Sequence, residues 1–275
     1  NITISNNSAT DGGGIDCHWN SSPTITDVTI TNNSASSGGG ISCWYNSSPT
    51  LTNVTISGNM ASNNGGGMFI SVMSNPTLTG VTFSGNTGTF GGGMGLFSSS
   101  PTLTNVTFSG NSGFPGGGGM YLNSSSLTLT NSILWGNSPQ EISLVSTSSI
   151  TINYSDIQGG EAGIVTNENG TVYWGDGNID DYPLFCDTEN GDFTLASNSP
   201  CVGTGQDGAN MGALGIGCTA SVGCQDDTAC NYYPDATEED GSCFYNDCAG
   251  VCGGSAVLSG CDNVCNSTAV EDCAG

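Results

Sequence analysis

The run Gly-Gly-Gly returns at a nearly fixed interval through the first half of the chain. It starts at residues 12, 38, 65 and 91, so successive starts differ by 26, 27 and 26 residues, and a four-glycine run follows at 116–119. A repeat of this length is one supersecondary unit that buries its apolar side chains only by stacking on its neighbours. The repeat therefore predicts a solenoid.

The fold class follows from two further strings that keep the same period, Ser/Asn-Pro-Thr and Val-Thr-Ile/Phe. Apolar and polar residues alternate through them, as in residues 49–57, and this alternation is typical of strands with one buried face. Parallel pairing of each strand with its copy, about 4.8 Å away, would bury that face. We predict an all-β chain, a right-handed parallel β-helix with about 26 residues per coil, followed by a small disulfide-rich tail.

Two inward columns are expected beside the glycine corners. Cys17 and Cys43 belong to the second of them, one coil apart, so they form either a cross-coil disulfide or two buried thiols. The columns are Ile15, Ile41, Met68, Met94 and Met120, and then Cys17, Cys43, Ile70, Leu96 and Leu122.

The charge of the chain excludes two classes of partner. It contains no Lys or Arg against 24 Asp and Glu, giving a formal net charge of −24. Nucleic-acid phosphates and anionic membrane surfaces are bound mainly by basic patches. We therefore expect no nucleic-acid partner and no membrane insertion.

Acids and cysteines divide the chain into three segments. Residues 1–160, 161–218 and 219–275 carry five, nine and ten acids, and nine of the 13 cysteines lie in 218–273. This cysteine density is typical of extracellular, oxidising surroundings. We expect β-helix repeats over 1–157, a closing module over 158–217 and a disulfide-stapled tail over 218–275 of a secreted or cell-surface protein.

The cysteines are expected to form disulfides rather than a zinc site. Cys186 and Cys201 are expected to staple the closing module, and Cys273 is the candidate for the odd cysteine of the tail. The disulfide candidates are Cys17, Cys43, Cys186, Cys201, Cys218, Cys224, Cys230, Cys243, Cys248, Cys252, Cys261 and Cys265.

Asn-x-Ser/Thr sequons are frequent, and they mark acceptors for N-glycosylation in secreted proteins. A composition rich in Asn, Ser and Thr also generates such sequons by chance. The glycosylation candidates are Asn1, Asn6, Asn20, Asn32, Asn46, Asn53, Asn105, Asn123, Asn153, Asn169 and Asn266.

The Gly-Gly-Gly and Val-Thr-(Ile/Phe)-Ser-Gly-Asn strings give residues 1–157 a resemblance to the β-helix regions of large secreted bacterial proteins, the pectin-lyase-like superfamily in the broad sense. Residues 154–160, 177–185, 198–201 and 211–214 resemble a closing module of the choice-of-anchor type. Residues 223–243 resemble short Cys-rich repeats of bacterial surface proteins, and 247–254 is similar to thrombospondin type 3 segments. The last resemblance implies Ca²⁺ in the acidic tail, although the dense Asp-x-Asp spacing of that family is absent.

An enzyme is not expected, and we assign no catalytic residue and no resident cofactor or metal. Sugar lyases of the resembled superfamily use Arg or Lys, which this chain lacks, and hydrolysis requires converging carboxylates. Asp27 aligns with Asn53 and Asn105 in later repeats, which indicates a turn residue.

The single histidine, His18, aligns with Trp44 in the next repeat. This alignment predicts that the two rings stack on the surface, with a sugar-binding platform as the alternative. The acids of the helix are Asp11, Asp16, Asp27, Glu141 and Asp156.

A Thr-x-Thr pair recurs in five successive repeats and predicts an outward ladder of hydroxyl groups. Ice-binding β-helices carry such ladders, although Thr is also favoured on outward strand faces by propensity alone. The ladder consists of Thr24, Thr26, Thr50, Thr52, Thr77, Thr79, Thr102, Thr104, Thr128 and Thr130.

The function expected from these patterns is structural: a glycosylated extracellular filament subunit, surface stalk or adhesin. The chain opens within a coil and ends within a Cys-rich repeat, so we expect a segment of a longer polypeptide. Open coil ends predict head-to-tail self-association, and cell-surface or glycan contacts are the other expected partners. Ice binding and carbohydrate binding or degradation are the alternatives.

Overall fold

The computed structural model describes most of the chain, with the gaps concentrated in the tail. The described residues are 2–167, 169–230, 232–233, 236, 238–239, 241, 243–248, 250, 252–254, 258–259 and 264–265. Two compact units are present: residues 1–195 with 199–217, and residues 196–198 with 218–275.

The first unit contains a right-handed parallel β-helix of about eight turns, which confirms the predicted fold class. Two short 3-10 turns, Glu161–Gly163 and Gln206–Gly208, interrupt the β structure. In the described part of the chain, no helix has the length and apolarity needed to span a membrane.

The strands are short, and most repeat in the same order within each coil. In chain order they are β1 (Ile2–Ser5), β2 (Ile15–Cys17), β3 (Thr24–Thr26), β4 (Val28–Thr31), β5 (Ser34–Ser37), β6 (Ile41–Cys43), β7 (Thr50–Thr52), β8 (Thr55–Ser57), β9 (Met60–Asn64), β10 (Met68–Ser71), β11 (Thr77–Ser84), β12 (Thr87–Gly88), β13 (Met94–Phe97), β14 (Thr102–Ser109), β15 (Ser112–Gly113), β16 (Met120–Asn123), β17 (Ser126–Thr130), β18 (Ile133–Trp135), β19 (Ile142–Val145), β20 (Ser149–Asn153), β21 (Asp156–Ile157), β22 (Thr171–Trp174), β23 (Phe185–Asp187), β24 (Asp192–Ala196), β25 (Ile216–Cys218), β26 (Val222–Gly223), β27 (Glu238–Glu239), β28 (Leu258–Ser259) and β29 (Val264–Cys265).

Three parallel sheets form the faces of the β-helix. The large sheet runs β1-β4-β8-β11-β14-β17-β20-β22, with β3, β7, β18 and β21 joined to it. A six-stranded sheet runs β19-β16-β13-β10-β6-β2, and a four-stranded sheet runs β15-β12-β9-β5. Most strands pair in register with their copies one coil away, as Met68 does with Met94, although the β5–β9 pair contains a register shift. The repeat period therefore sets the strand register directly.

The core consists of stacked apolar columns that run through the coils. Phe83 and Phe108 stack with ring centroids 4.5 Å apart and planes 2° from parallel. Met68 lies between Ile41 and Met94 in the first predicted inward column, and these three side chains are fully buried. Burial of apolar surface of this kind is the main stabilising contribution to a solenoid.

A column of asparagine side chains, buried from Asn33 to Asn137 and exposed at Asn7, was not predicted from the sequence. Asn86 is typical: its backbone N–H and its Nδ2 both donate to Asn111 Oδ1, at 3.0 and 2.8 Å, and Nδ2 also donates to the carbonyl of Ile56 at 2.8 Å. Its own Oδ1 accepts from the backbone N–H and the Nδ2 of Asn59. The column, here called the Asn ladder, consists of Asn7, Asn33, Asn59, Asn86, Asn111 and Asn137.

Glu141 ends the Asn ladder. Every amide in the ladder donates toward the next coil, so Asn137 needs an acceptor where the column stops. The buried carboxylate of Glu141 supplies it: Oε1 accepts the Asn137 backbone N–H at 3.0 Å and Oε2 accepts from Nδ2. A carboxylate is acceptor-only and therefore complements a column that ends in donors. Burial raises the pKa of Glu141 to about 7, although these hydrogen bonds favour its charged form.

The glycine corners are required by close packing between coils as well as by turn conformation. A Cβ added at Gly66 would lie 2.4 Å from the Thr87 carbonyl oxygen and 2.5 Å from that of Gly92. Gly110 differs, because its φ is +64° and a Cβ there would meet nothing within 4 Å.

Gly66→Ala is expected to destabilise the chain by about 3 kcal/mol, because backbone of two coils would have to move apart. Gly110→Ala should cost only about 1 kcal/mol, the strain of a left-handed alanine. Urea unfolding followed by circular dichroism compares the two variants. Equal costs would mean that close packing between coils does not select glycine at position 66.

After the last coil, the chain returns along the outside of the large sheet. This segment, residues 203–215, is here called the strap. The Ala213 N–H donates to Thr107 Oγ1 at 2.9 Å, and Asn105 Nδ2 donates to the carbonyls of Asn210 and Gly212 at 2.9 and 3.2 Å. A second apolar cluster packs beneath it and includes Ile133, Phe185, Phe193, Leu195, Cys201 and Met211.

Candidate functional site

The threonine ladder forms a regular surface on the large sheet, here called the Thr grid. Thr24, Thr50, Thr77, Thr102 and Thr128 are partners in one column, and Thr26, Thr52, Thr79, Thr104 and Thr130 in the other. The first column is exposed throughout, and the second is exposed or half-buried. Neighbouring hydroxyl groups are expected about 4.8 Å apart along a column and roughly 7 Å apart along a strand. The grid is uncharged because none of its members ionises.

The strap limits the Thr grid on one side. Thr107 lies on the same sheet beyond the grid, and its side chain is buried as it accepts from the Ala213 N–H. Asp27, Asn53 and Asn105 form the bend between the grid and this covered part, all with φ near +53°. The left-handed backbone conformation of Asp27 thus agrees with its predicted role as a turn residue.

The aromatic side chains of the six-stranded sheet stack on one another. His18 and Trp44 are stacked with ring centroids 6.1 Å apart, and Trp19 and Tyr45 with centroids 4.3 Å apart. Phe69 continues the row, 4.9 Å from Trp44. A sugar stacks on an open ring face, whereas His18 and Trp44 each have one ring face turned toward the other, and of these rings Trp19 is the most exposed, at 69%. The arrangement therefore fits the surface-stack interpretation of His18 better than a sugar platform.

Two polar groups lie unpaired beneath this aromatic row. Ser42 Oγ and Trp44 Nε1 are buried and have no hydrogen-bond partner among the described residues. Such groups cost about 1–3 kcal/mol each relative to a paired state.

The acids of the β-helix lie on different faces of the helix or in its interior. Asp16, on the six-stranded sheet, lies 3.3 Å from His18 Nδ1, whereas Asp27, at the bend of the large sheet, accepts from Asn53 Nδ2 at 3.3 Å. Asp11 pairs through its backbone with Ser37 on a third face. Glu141 and Asp156 are buried in the interior.

Cys17 and Cys43 are buried thiols rather than a disulfide, which decides between the two arrangements left open by the sequence. Interaction with the Cys17 thiol and burial raise the pKa of Cys43, so its thiol stays protonated and unreactive.

The expected disulfide between Cys186 and Cys201 is absent. Cys201 is a fully buried thiol that donates to Asp156 Oδ2 at 3.2 Å, while Cys186 is disulfide-bonded elsewhere. Asp156 is buried as well, and its Oδ1 accepts the Asp181 N–H at 3.2 Å. Burial raises the pKa of Asp156 to about 7. The closing module is therefore held partly by a buried thiol–carboxyl hydrogen bond, because Cys201 folds inward against β21.

The tail contains the disulfides expected of a Cys-rich segment. Cys224 forms a disulfide with Cys243, and Cys230 forms one with Cys252. Cys218 and Cys248 each take part in a disulfide as well. These bonds fit a protein of an oxidising environment. Cys261, Cys273 and the side chain of Cys265 lie outside the described residues.

One group in the tail has the composition of a metal site. The ligand atoms of Cys224, Glu239 and Cys243 lie within 4.8 Å of one another. Because the two sulfurs form a disulfide, the group offers a single carboxylate. Ca²⁺ takes six to eight oxygen ligands, so these residues do not fit the calcium ion that the family resemblance implies.

The sequon asparagines differ in accessibility. Asn105 is a poor acceptor because its Nδ2, the atom that a glycan would modify, donates to two backbone carbonyls under the strap. Asn123 and Asn153 are half-buried, while Asn1 and Asn266 lie outside the described residues. The exposed sequon asparagines are Asn6, Asn20, Asn32, Asn46, Asn53 and Asn169.

The sequence did contain a signal for the Asn ladder. Asn33, Asn59, Asn86, Asn111 and Asn137 recur at one position of the repeat, each after a Ser-Gly or similar turn. Asparagine is common in turns, so recurrence alone does not distinguish an exposed turn residue from an inward one. The approach of Glu141 to Asn137 carries no comparable signal, because it occurs once.

Comparison with known proteins agrees with this architecture. The family described as "Right handed beta helix region" matches residues 1–89 and 39–198. No curated protein and no solved structure matches the chain. The matched residues cover the stacked coils, the Asn ladder and the Thr grid, and the chain is a member of the right-handed β-helix family.

Proposed function

We propose that this chain is part of an extracellular structural protein, a glycosylated stalk or adhesin of bacterial origin whose β-helix displays the Thr grid as a contact surface. The observation that carries the proposal is the grid itself: ten hydroxyl-bearing side chains in two registered columns, none of them fully buried. The tail disulfides and six exposed sequon asparagines support an extracellular location.

The Thr grid suits association with another flat polar surface. Strand pairing holds the hydroxyl groups at fixed spacing, so little side-chain freedom is lost when a partner binds. Threonine is also restricted at χ1. A second copy of the chain or a cell-surface glycan presents hydroxyl or amide groups of matching spacing, and filament formation is one outcome of such self-association.

A non-catalytic role is favoured by the positions of the acids. Asp16 and Asp27 lie on different faces, and each has its own partner, His18 or Asn53. Glu141 is buried at the end of the Asn ladder. A hydrolase needs two carboxyl groups facing one glycosidic bond.

The test is a double substitution in the grid, Thr79→Glu with Thr102→Glu, both at exposed positions. Two carboxylates on an uncharged surface should weaken its contacts at least about tenfold, since each must be desolvated on binding. Ser36→Glu with Ser62→Glu is the matched control on the four-stranded sheet, where both positions lie away from the grid. Binding to glycan arrays and cells, sedimentation velocity and electron microscopy report the partners and any filament.

Equal binding by the grid variant and the control variant would remove the grid from the contact surface. Release of reducing sugar from a polysaccharide would overturn the non-catalytic role.

Ice binding is the second candidate function, favoured by the registered columns. Thermal hysteresis in wild-type protein, lost in Thr79→Tyr, would assign the grid to ice rather than to a biological surface.

A further inference from the structure

A cleft of about 490 Å³ opens between the turns of the large sheet and the β23–β24 hairpin. Trp135, Tyr182, Phe185 and Phe193 line it together with Glu189. This volume lies within the 300–1,000 Å³ range of small-ligand sites. All of these residues belong to the first compact unit. The cleft is separate from the Thr grid, and its role is independent of the proposed function.

Glycines keep one side of the cleft open. Gly85 and Gly110 line it at equivalent positions of successive coils, and a Cβ at either would meet no atom within 4 Å. A ligand can therefore approach the backbone of two coils without a side chain in the way.

The rings of the cleft stand at large angles to one another. Trp135 and Tyr182 have centroids 5.8 Å apart with planes at 71°, and Phe185 and Phe193 have centroids 5.4 Å apart with planes at 88°. Phe185 and Phe193 are buried, whereas Tyr182 is 57% exposed. Rings in these orientations present electron-rich faces in more than one direction around one space. A cation within about 6 Å of a ring face is attracted by the ring quadrupole.

Charge selects the kind of ligand. Glu189 is the ionisable acid among the cleft-lining residues, and the chain has no Lys or Arg that could place a cation there from within. The formal net charge of −24 disfavours an anion and raises the local concentration of cations. Aromatic rings recognise alkylated ammonium groups through their faces, and a nearby carboxylate adds charge attraction.

We propose that this cleft binds a small, soluble alkylammonium cation, with the cation against the rings of Trp135 and Tyr182 and Glu189 as its counter-charge. Phe185 and Phe193 form the apolar base, which excludes water from one side of the ligand. Attraction to a desolvated ring is stronger than to an exposed one.

The test is a titration of the whole chain with choline and tetramethylammonium, followed by calorimetry and tryptophan fluorescence. The neutral isostere 3,3-dimethylbutanol has the same shape without charge and should bind about tenfold more weakly. Tyr182→Ala should weaken choline binding by about the same factor, and Glu189→Gln by less, with reduced salt dependence. Tyr182→Phe keeps the ring, and Trp19→Leu alters an exposed ring of the six-stranded sheet, so both should bind like wild type.

Several results would overturn the proposal. Equal affinity for 3,3-dimethylbutanol and choline would show that charge is not recognised. Tighter binding of methyl glucoside than of choline would make the cleft a sugar site, and absence of choline binding at millimolar concentration would reject a cation site. Binding to phosphatidylcholine vesicles without binding to free choline would contradict a soluble ligand. The comparison between choline and its isostere uses wild-type protein, so it does not depend on any variant folding.

Discussion

Asn86→Ala is expected to destabilise the β-helix by at least about 4 kcal/mol, far more than the loss of an exposed side chain. The substitution removes the acceptor of two donors on Asn59 and the donor to the Ile56 carbonyl. Asn111 Oδ1 loses one of its two donors. Because Asn86 is fully buried, no water replaces these bonds at low cost. Urea unfolding monitored by circular dichroism measures the change.

Asn63→Ala is the matched control for this experiment. Asn63 lies in β9 of the four-stranded sheet and is exposed, so its loss should change the free energy of unfolding by no more than about 0.5 kcal/mol. Asn86→Asp provides a second comparison, because it keeps an acceptor for Asn59 but turns an oxygen toward the Ile56 carbonyl. If Asn86→Ala cost no more than Asn63→Ala, the Asn ladder would contribute nothing to stability.

Stability is also expected to fall as pH rises from about 4 to about 8. Burial raises the pKa of Glu141 and that of Asp156 to about 7, above the ordinary values of 4.5 and 3.8. The folded chain therefore holds these protons more tightly than the unfolded chain does. The resulting stability is fully present below the unfolded pKa and is lost as pH rises through about 7. Each group should account for about 3 to 4 kcal/mol of this loss.

Two neighbouring acids add to the effect of burial on the pKa of Asp156. Asp180 and Asp181 both raise this pKa by charge repulsion, whereas the hydrogen bond from Cys201 lowers it. Hydrogen bonds lower the pKa values of Asp187 and Asp226, so their contributions to stability change only below about pH 4. The loss between pH 4 and 8 is thus assigned to the two buried carboxyl groups, with general repulsion in a chain of net charge −24 as background.

Glu141→Gln and Asp156→Asn separate the two contributions. Each keeps an oxygen acceptor, for Asn137 or for the Asp181 N–H, while removing the ionisation. Each variant should lose less stability than wild type between pH 4 and 8, and the double variant should show a nearly flat profile. Asp176→Asn removes one charge at an exposed position and serves as the control. A wild-type profile in the double variant would assign the pH dependence to other groups.

Much of the fold was predictable because its information is local and repeated. Alternation in residues 49–57 indicated which side chains face inward, and Leu51, Val54 and Ile56 are indeed buried. The shared period indicated the register, as in the pairing of Leu78 with Leu103. The same pattern recurs in several coils, so a single irregular residue does not change either prediction.

Features that occur once were not predictable in the same way. The pairing of Cys186 was misassigned because spacing along the chain does not reveal which cysteines meet in space, and Cys201 instead contacts Asp156. The cleft was missed because Trp135 and Tyr182 belong to different segments and have no repeated counterpart. The Asn ladder is intermediate between the repeated and the single features. The sequence shows that its asparagines recur once per coil, but it does not show that their side chains point inward.

The repeat pattern is sufficient to predict the β-helix, its register and the outward position of the Thr grid, because one register buries the alternating apolar side chains of every coil. What covers the large sheet and what lines the cleft depend instead on how the non-repeating segments fold. Those features depend on contacts such as Ala213 with Thr107, separated by 106 positions. A non-repeating segment is placed by the sum of such single contacts, and no local pattern encodes that sum.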